Sequence, residues 1–337
     1  MSNKFSRVFV TGGAGYVGSV LIPRLLDRGY RVTSYDISYY GDSFLPKSNP
    51  NLQVIRGDIR DTARLADAVV GHDAFISLAC ISNDASFELD ERLSTSVNLD
   101  AFEPMVLAAK KAGVRRLIFA SSSSVYGVSD QPDVTEDHPL VPLTLYNKYK
   151  GMCEPLLFKH TDPHFVGVVF RPATVCGYAP RQRFDLSVNI LTNHAINNGK
   201  ITVFGGEQMR PNLHILDYCD AVQILLDAPD EKIANEIFNV GYQNMSIIDI
   251  ALLVKRVVQQ EFPEVPEIGV VTTPSDDKRS YHINSDKVRR VLGYAPKRTI
   301  EEAVRDLCRA FKDGRLPNSM ADDVYYNVRR MKNLQAA

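Results

Sequence analysis

Tyr146 and Lys150 stand four residues apart in LYNKYK, and on a helix that spacing places both side chains on one face, where an ammonium can act on a phenol. A free phenol titrates near pKa 10 and is a poor base at neutral pH. Holding it about three units lower takes about 4 kcal/mol of preferential stabilisation of the phenolate, more than one exposed lysine supplies. A second positive charge has to stand nearby. The Y-x-x-x-K spacing alone also describes a surface pair, so its chemical meaning depends on the company it keeps. An apolar run ending in Ser121 and Ser122 precedes it, and Asn98 lies on the segment before that.

Gly12, Gly15 and Gly18 in TGGAGYVG follow a short β-rich run and open a helical pattern. Small residues at that spacing let the backbone turn sharply and bring a pyrophosphate to the positive end of the helix. Asp36, 18 residues after Gly18 at the end of the second β-rich run, can accept both ribose hydroxyls of an adenosine. The same carboxylate repels a 2′-phosphate, and residues 37–40 (ISYY) hold no Arg or Lys to neutralise one. The implied cofactor is NAD rather than NADP, and its oxidised nicotinamide is the second positive charge that the phenol requires. Asp58 and Ile59 in GDIRD could hold the adenine, although Asp58 equally suits a helix cap.

Several elements must position these groups. The runs RVFVT (7–11), RVTSYD (31–36), LQVIRGD (52–58), AFISLA (74–79), RLIFASS (116–122) and FVGVVFRP (165–172) alternate with stretches of helical periodicity. Apolar strands alternating with helices mean an α/β fold of Rossmann type, a doubly wound parallel sheet covered on both faces. After residue 175 a polar loop (178–185), a helix near 186–197 and a strand ITVFG break the rhythm. A helix near 218–228 and EIFNVG (236–241) return to the sheet, and residues 246–315 add two amphipathic helices, GVVTT and a helix over 300–312. The spacing predicts a dinucleotide-binding domain of residues 1–175 plus about 212–243. A smaller, discontinuous substrate domain takes about 176–211 plus 244–337, with a last helix after Asn318.

Composition narrows the function classes. The 337 residues are 45% hydrophobic and 23% charged, with 39 Lys+Arg against 40 Asp+Glu. That balance excludes a disordered chain and offers no basic stripe for nucleic acid. The longest apolar runs, such as Phe165 to Phe170, fall short of the roughly 20 residues a membrane helix needs, and the N-terminus reads as a strand rather than a cleaved signal, so a cytoplasmic location is expected. Five scattered cysteines (Cys80, Cys153, Cys176, Cys219, Cys308) suggest reduced thiols, neither a disulfide framework nor a metal site.

Taken together, TGGAGYVGS, Asp36, GDIRD, SSSSVYG, YNKYK, RPATVCG, RPNLHILD and DKRSYHINSDKVRRVLGY make the chain resemble an extended short-chain dehydrogenase/reductase of the NAD-dependent epimerase/dehydratase group, which acts on nucleotide sugars. The resemblance runs through essentially the whole chain. It implies that Tyr146 is the proton-transferring acid/base, that Lys150 binds the nicotinamide ribose and depresses the tyrosine pKa, and that Ser122 hydrogen-bonds the reacting sugar hydroxyl. By the same resemblance Tyr16, Val17, Asp58, Ile59, Leu78, Ala79, Asn98 and Pro172 are cofactor contacts. Ser123, Thr174, Asn189, Arg210 and Arg279 are substrate contacts, the arginines suiting diphosphate oxygens, with a base pocket near Asn189, Ile201 and Arg279. A homodimer through the helices that carry Asn98 and Tyr146 is also implied.

Departures from the group narrow the reaction. Sugar-nucleotide 4,6-dehydratases of this type carry an Asp-Glu pair where this chain has Ser123 and Ser124, and the 3,5-epimerase/reductases carry a Cys at the place of Ser124. The loop ISNDASFELD makes Asn83, Asp84 and Ser86 candidates for sugar recognition, whereas Cys80 and Cys176 read as small hydrophobes. The expectation is an epimerase that oxidises a sugar hydroxyl, at C4, to a ketone and returns the hydride. A 4-dehydrogenase or 4-keto-sugar reductase stays open, on the similarity of RPATVCGYAPRQRFD and DKRSYHI to nucleotide-linked heptose dehydrogenases, as does a noncatalytic dinucleotide-binding protein.

Overall fold

A computed structural model describes residues 5–129, 131, 133–275 and 280–336. Twelve strands run through them: β1 (Arg7–Thr11), β2 (Arg31–Asp36), β3 (Leu52–Arg56), β4 (Ala74–Ser77), β5 (Arg116–Ala120), β6 (Val166–Pro172), β7 (Thr174–Cys176), β8 (Lys200–Phe204), β9 (Met209–His214), β10 (Glu236–Val240), β11 (Gln243–Ser246) and β12 (Gly269–Thr273). Seven of them form one sheet in the order β10-β6-β5-β4-β1-β2-β3, every pair parallel. The strand order reverses between β1 and β4, and a cleft opens there beyond the carboxyl ends of the strands. Thr11 pairs with both Tyr35 and Ser77, so the glycine turn, Asp36 and the loop after β4 all emerge at this edge.

Residues of alternating parity feed two cores, one on each face of the sheet. Val8, Val10, Ile76, Ile118 and Val168 pack with Leu21, Leu25, Val222 and Leu225, from the Gly18–Asp27 and Ile215–Asp227 helices. Phe9, Phe75, Leu117, Phe119 and Val169 pack with Leu65, Val106 and Leu157, from the Thr62–Val69, Phe102–Lys111 and Leu145–Phe158 helices. β4, β5 and β6 are buried throughout, which is why they read as unbroken apolar runs.

A separate core gathers Val188, Leu191, Val254, Val258 and Val304 from the Ser187–Asn198, Ile247–Glu261 and Ile300–Lys312 helices. Around it lie a mixed sheet β11-β9-β7 and the parallel pair β12-β8. EIFNVG returns to the main sheet as β10, beside β6. β4 and β5 stop two residues earlier than their apolar runs suggest, because Leu78, Ala79, Ser121 and Ser122 turn to line the cleft. The Ile215–Asp227 helix starts three residues earlier than its periodicity suggests, since His214 Nδ1 accepts the Leu216 N–H at 3.1 Å. Strands β7, β9 and β11 carry no clear alternation of apolar and polar residues and lie outside the runs that the sequence marks as strands.

Candidate active site

The glycine turn is built for close approach. Gly12 has φ +76°, and a Cβ there would come within 2.7 Å of the Ala79 backbone nitrogen; one on Gly18 would stand 2.3 Å from the Gly13 carbonyl oxygen. Only glycine permits this turn against the end of β4. The part-buried Asp36 carboxylate accepts the Ala14 N–H at 3.0 Å and the Ser38 N–H at 2.7 Å, tying the turn to the end of β2. Burial raises its pKa, an effect opposed by these two amides and by Arg181. Asp61, rather than Asp58, caps the Thr62–Val69 helix; the Asp58 carboxylate grips Arg60, with Arg60 Nη2 donating at 2.6 Å, and Tyr35 Oη donates to the Asp58 carbonyl.

The catalytic candidates are positioned by one helix. Thr144 caps Leu145–Phe158, accepting the Asn147 N–H, and Tyr146, Lys150 and Glu154 follow at four-residue intervals along it. Glu154 receives a two-point bond from the buried Arg171 of β6, at 2.9 and 2.6 Å, and a third from Ser121 at 2.6 Å. These contacts clamp the helix across β5 and β6. Lys150 Nζ donates to the Ala120 carbonyl at 2.8 Å and lies 5.0 Å from the centre of the Phe119 ring. Ser122 Oγ accepts the Ser124 N–H and lies 2.7 Å from Ser124 Oγ, which donates to Asn147 Oδ1 at 2.5 Å. Ser123 Oγ is 3.4 Å from Tyr281 Oη.

Burial pushes the Tyr146 phenol well above its ordinary value, and Cys80, Asp84 and Tyr281 add to the shift while Arg183 opposes it. In this structure the ammonium is spent on Ala120, and the low dielectric of the cleft dominates.

One cavity of about 860 Å³ joins these parts. It is lined by Gly12, Gly15, Tyr16, Val17, Gly18, Asp36, Asp58, Ile59, Leu78, Ala79 and Pro172 at the cofactor end. Ser122, Ser123, Tyr146, Lys150, Asn83, Asp84, Thr174 and Arg210 line the remainder. Arg279 lies outside the described residues.

Asn98 and Asn189 are not among the lining residues. Asn98 sits in a π-helical turn, Ser96–Asp100, and its amide both accepts the Ile81 N–H at 2.8 Å and donates to the Ile81 carbonyl at 2.9 Å. Asn189 is fully buried, accepts the Gly177 N–H and donates to Tyr16 Oη and the Arg183 carbonyl. Both amides shape the cleft from behind. The phenol of Tyr16 is likewise engaged, donating to the Gly177 carbonyl at 2.7 Å.

Elsewhere along the cavity other expectations change. Ile201 belongs to the core, and its neighbours Thr202 and Phe204 line the cavity. Ser86 is buried behind the wall, where its N–H caps onto Asn83. Asn83 itself holds φ 75°, an uncommon conformation that turns the loop over the cleft. Asp84 accepts the Thr144 hydroxyl at 2.5 Å. Cys176 is buried, as expected, and burial pushes its thiol up, whereas Cys80 stands in the cavity wall. Arg181, Arg183 and Tyr281 also line the cavity; the two arginines of YAPRQRFD and the tyrosine of DKRSYHI were visible only as parts of motifs.

Known proteins share this construction. The model of the NAD dependent epimerase/dehydratase family matches residues 8–241. The dTDP-glucose 4,6-dehydratase of Streptomyces niveus is 26% identical over 92% of this chain and 94% of its own length. The UDP-glucose 4-epimerase of Lactobacillus helveticus is 28% identical over 86% of this chain and 92% of its own. In fold, the chain is similar to a dTDP-glucose 4,6-dehydratase from Streptomyces venezuelae solved with NAD, with a TM-score of 0.81 and 23% identity over 92% of this chain and 98% of that one. It is equally similar to the UDP-glucose 4-epimerase of Thermotoga maritima solved with UDP-glucose, with a TM-score of 0.80 and 23% identity over 91% of this chain and 99% of that one. The glycine cradle and the part-buried carboxylate of Asp36 suit the NAD bound in the Streptomyces venezuelae structure, and this chain belongs to the NAD-dependent epimerase/dehydratase family, with NAD as its cofactor.

Proposed function

We propose that the protein is a nucleotide-sugar 4-epimerase that oxidises its substrate transiently and reduces it on the other face. The observation carrying this reading is the part of the cavity wall formed by Ser122, Ser123 and Ser124, where the two residues after Ser122 carry hydroxyls and not carboxylates. Elimination of water from a sugar needs an acid at the leaving hydroxyl and a base at the neighbouring carbon. Serines at those two places supply neither. Bound NAD supplies the hydride acceptor and, when oxidised, a positive charge beside the phenol.

Tyr146 Oη takes the proton of the sugar hydroxyl as the carbinol becomes a ketone, and returns it when the ketone is reduced. Lys150 moves between the Ala120 carbonyl and the nicotinamide ribose, and its charge helps bring the phenol down to a working pKa. Ser122 Oγ hydrogen-bonds the reacting oxygen, oriented by its contact with Ser124. Arg210 and Thr174 line the path of the diphosphate and sugar, and Arg279 is assigned to the nucleotide. Residues 1–175 with 212–243 carry the cofactor, and 176–211 with 244–337 carry the nucleotide sugar. Leu107 and Met152, exposed apolar residues on the Phe102–Lys111 and Leu145–Phe158 helices, fit a paired-helix homodimer, and no helix among the described residues is long and apolar enough to cross a membrane.

The test is to incubate the NAD-loaded protein with UDP-, dTDP-, GDP- and CDP-hexoses, following the sugars by NMR and reduced nicotinamide by absorbance. The expected result is a C4 epimer with no net reduction of NAD. Stoichiometric NADH with a 4-keto product would make it a dehydrogenase, and a 4-keto-6-deoxy product would make it a dehydratase.

A further inference from the structure

Arg181 stands out among the cavity residues because its charge makes no ion pair with a carboxylate among the described residues. The residue is 2% exposed and comes from the loop between β7 and the Ser187–Asn198 helix. Its backbone N–H donates to Ser19 Oγ at 3.2 Å, which seats the loop on the first turn after the glycines. The guanidinium is 3.6 Å from the centre of the Tyr40 ring and donates through Nη2 to Asn327 Oδ1 at 2.7 Å. Nε is buried and finds no acceptor among the described residues. Asp36 and Asp185 favour its charge from a distance, but their hydrogen bonds go elsewhere: Asp36 to the amides of Ala14 and Ser38, and Asp185 to Arg183 and the Asn327 N–H. Burial lowers the Arg181 pKa to about 10.

A buried cation without an ion pair is costly, and here it lines the cavity on a loop seated against Ser19, just after the glycine turn. An anion arriving at that helix N-terminus would supply what the side chain lacks.

We propose that Arg181 binds the diphosphate of NAD, reaching over from the sugar-side loop, and that Tyr40 and Asn327 hold its guanidinium in place for that contact. The glycine turn then offers amides from one side and Arg181 offers a charged fork from the other. The inference concerns the cofactor site and holds whichever sugar reaction the enzyme performs. A 2′-phosphate would be the other phosphate source, but the Asp36 carboxylate at the end of β2 would repel one, which favours the diphosphate as the partner.

Isothermal titration of NAD, ADP-ribose and NADP against the wild type, Arg181→Gln and Arg181→Lys tests this at several salt concentrations. In Arg181→Gln, NAD and ADP-ribose should both weaken about thirty-fold, the loss of one charge-assisted contact, and their affinity should depend less steeply on ionic strength. Arg181→Lys should recover part of the affinity and the salt dependence. Unchanged NAD affinity, a loss confined to NADP, or a loss that leaves the salt dependence as steep as in the wild type would overturn the proposal, the last because a merely structural arginine would act that way. If Arg181→Gln does not fold, Tyr40→Leu and Asn327→Ala decide. Each should weaken ADP-ribose several-fold, and wild-type affinity in both would sink the idea.

Discussion

At the glycine turn the protein offers mostly backbone: a tight loop with Gly12 against the end of β4, amides at the start of a helix, and one carboxylate two of whose bonds go to its own chain. At the sugar end it offers side chains, gathered from the loop after β4, from the Tyr146 helix, from β8 and β9, and from Tyr281. A dinucleotide presents the same phosphates and ribose to every protein that binds it, so a short local motif suffices. Sugars differ by the orientation of single hydroxyls, and discrimination at that scale needs polar side chains placed from several directions. The difference also explains why dehydratases and epimerases are matched with similar identity.

Tyr146 is where the two ends meet, and removing its hydroxyl should separate binding from chemistry. Tyr146→Phe should lower the turnover of the nucleotide-sugar substrate about 1000-fold, about 4 kcal/mol in the barrier, while NAD affinity stays within a factor of about two. Steady-state assays beside calorimetric titration check both halves of that statement. The residual proton transfer should also respond to pH through Lys150. In an otherwise wild-type enzyme, Lys150→Met removes a positive charge that favours phenolate, so the ascending, acidic limb of the kcat/KM profile for oxidation should move to higher pH.

The same contrast decides what could be read before the structure. The α/β order, the sheet edge at which the cleft opens and the Gly12, Asp36, Tyr146 and Lys150 positions were legible, because each follows from demands made within a few residues: a turn, a strand end, a helical repeat. The amides were not. Asn98 and Asn189 carry the right groups for a ligand, yet their partners are the backbone at Ile81, Gly177 and Arg183, and residue type alone does not say which way a buried amide faces. Arg181 was illegible for a different reason. Its position depends on a contact with Ser19, 162 residues away in the chain, and no local pattern encodes such a meeting. The clamp between Glu154 and Arg171 is similar: Arg171 opens a recognised motif and Glu154 lies one turn beyond another, but their pairing is a product of how β6 lies under the helix.

Damage confined to the cofactor end should leave the other end able to bind. Gly12→Val forces a branched side chain into a positive φ and into the Ala79 backbone, a strain of about 3 kcal/mol, so NAD affinity should fall about 100-fold. Titration with the nucleotide of the active substrate should still show binding. Loss of both together would mean that the two ends fold as one unit and would blur the comparison.

The mildest variant probes the seam between them. Thr144 caps the helix that carries Tyr146 and Lys150, and its hydroxyl also donates to Asp84 of the sugar-side loop. Thr144→Ala removes both contacts at once. The cap accounts for about 1 kcal/mol, so the melting temperature should drop by a few degrees for a chain of this size. The second contact acts on the loop. Asp84 then loses one of its partners, and it lies among the groups that set the Tyr146 pKa. Thr144→Ser keeps the hydroxyl and should restore both stability and KM, whereas Asp84→Asn in the wild-type background should change KM for the sugar and leave NAD binding as it was. If Thr144→Ala lowers stability without touching KM, the loop after β4 holds its shape without the helix cap, and sugar recognition is built independently of the catalytic helix.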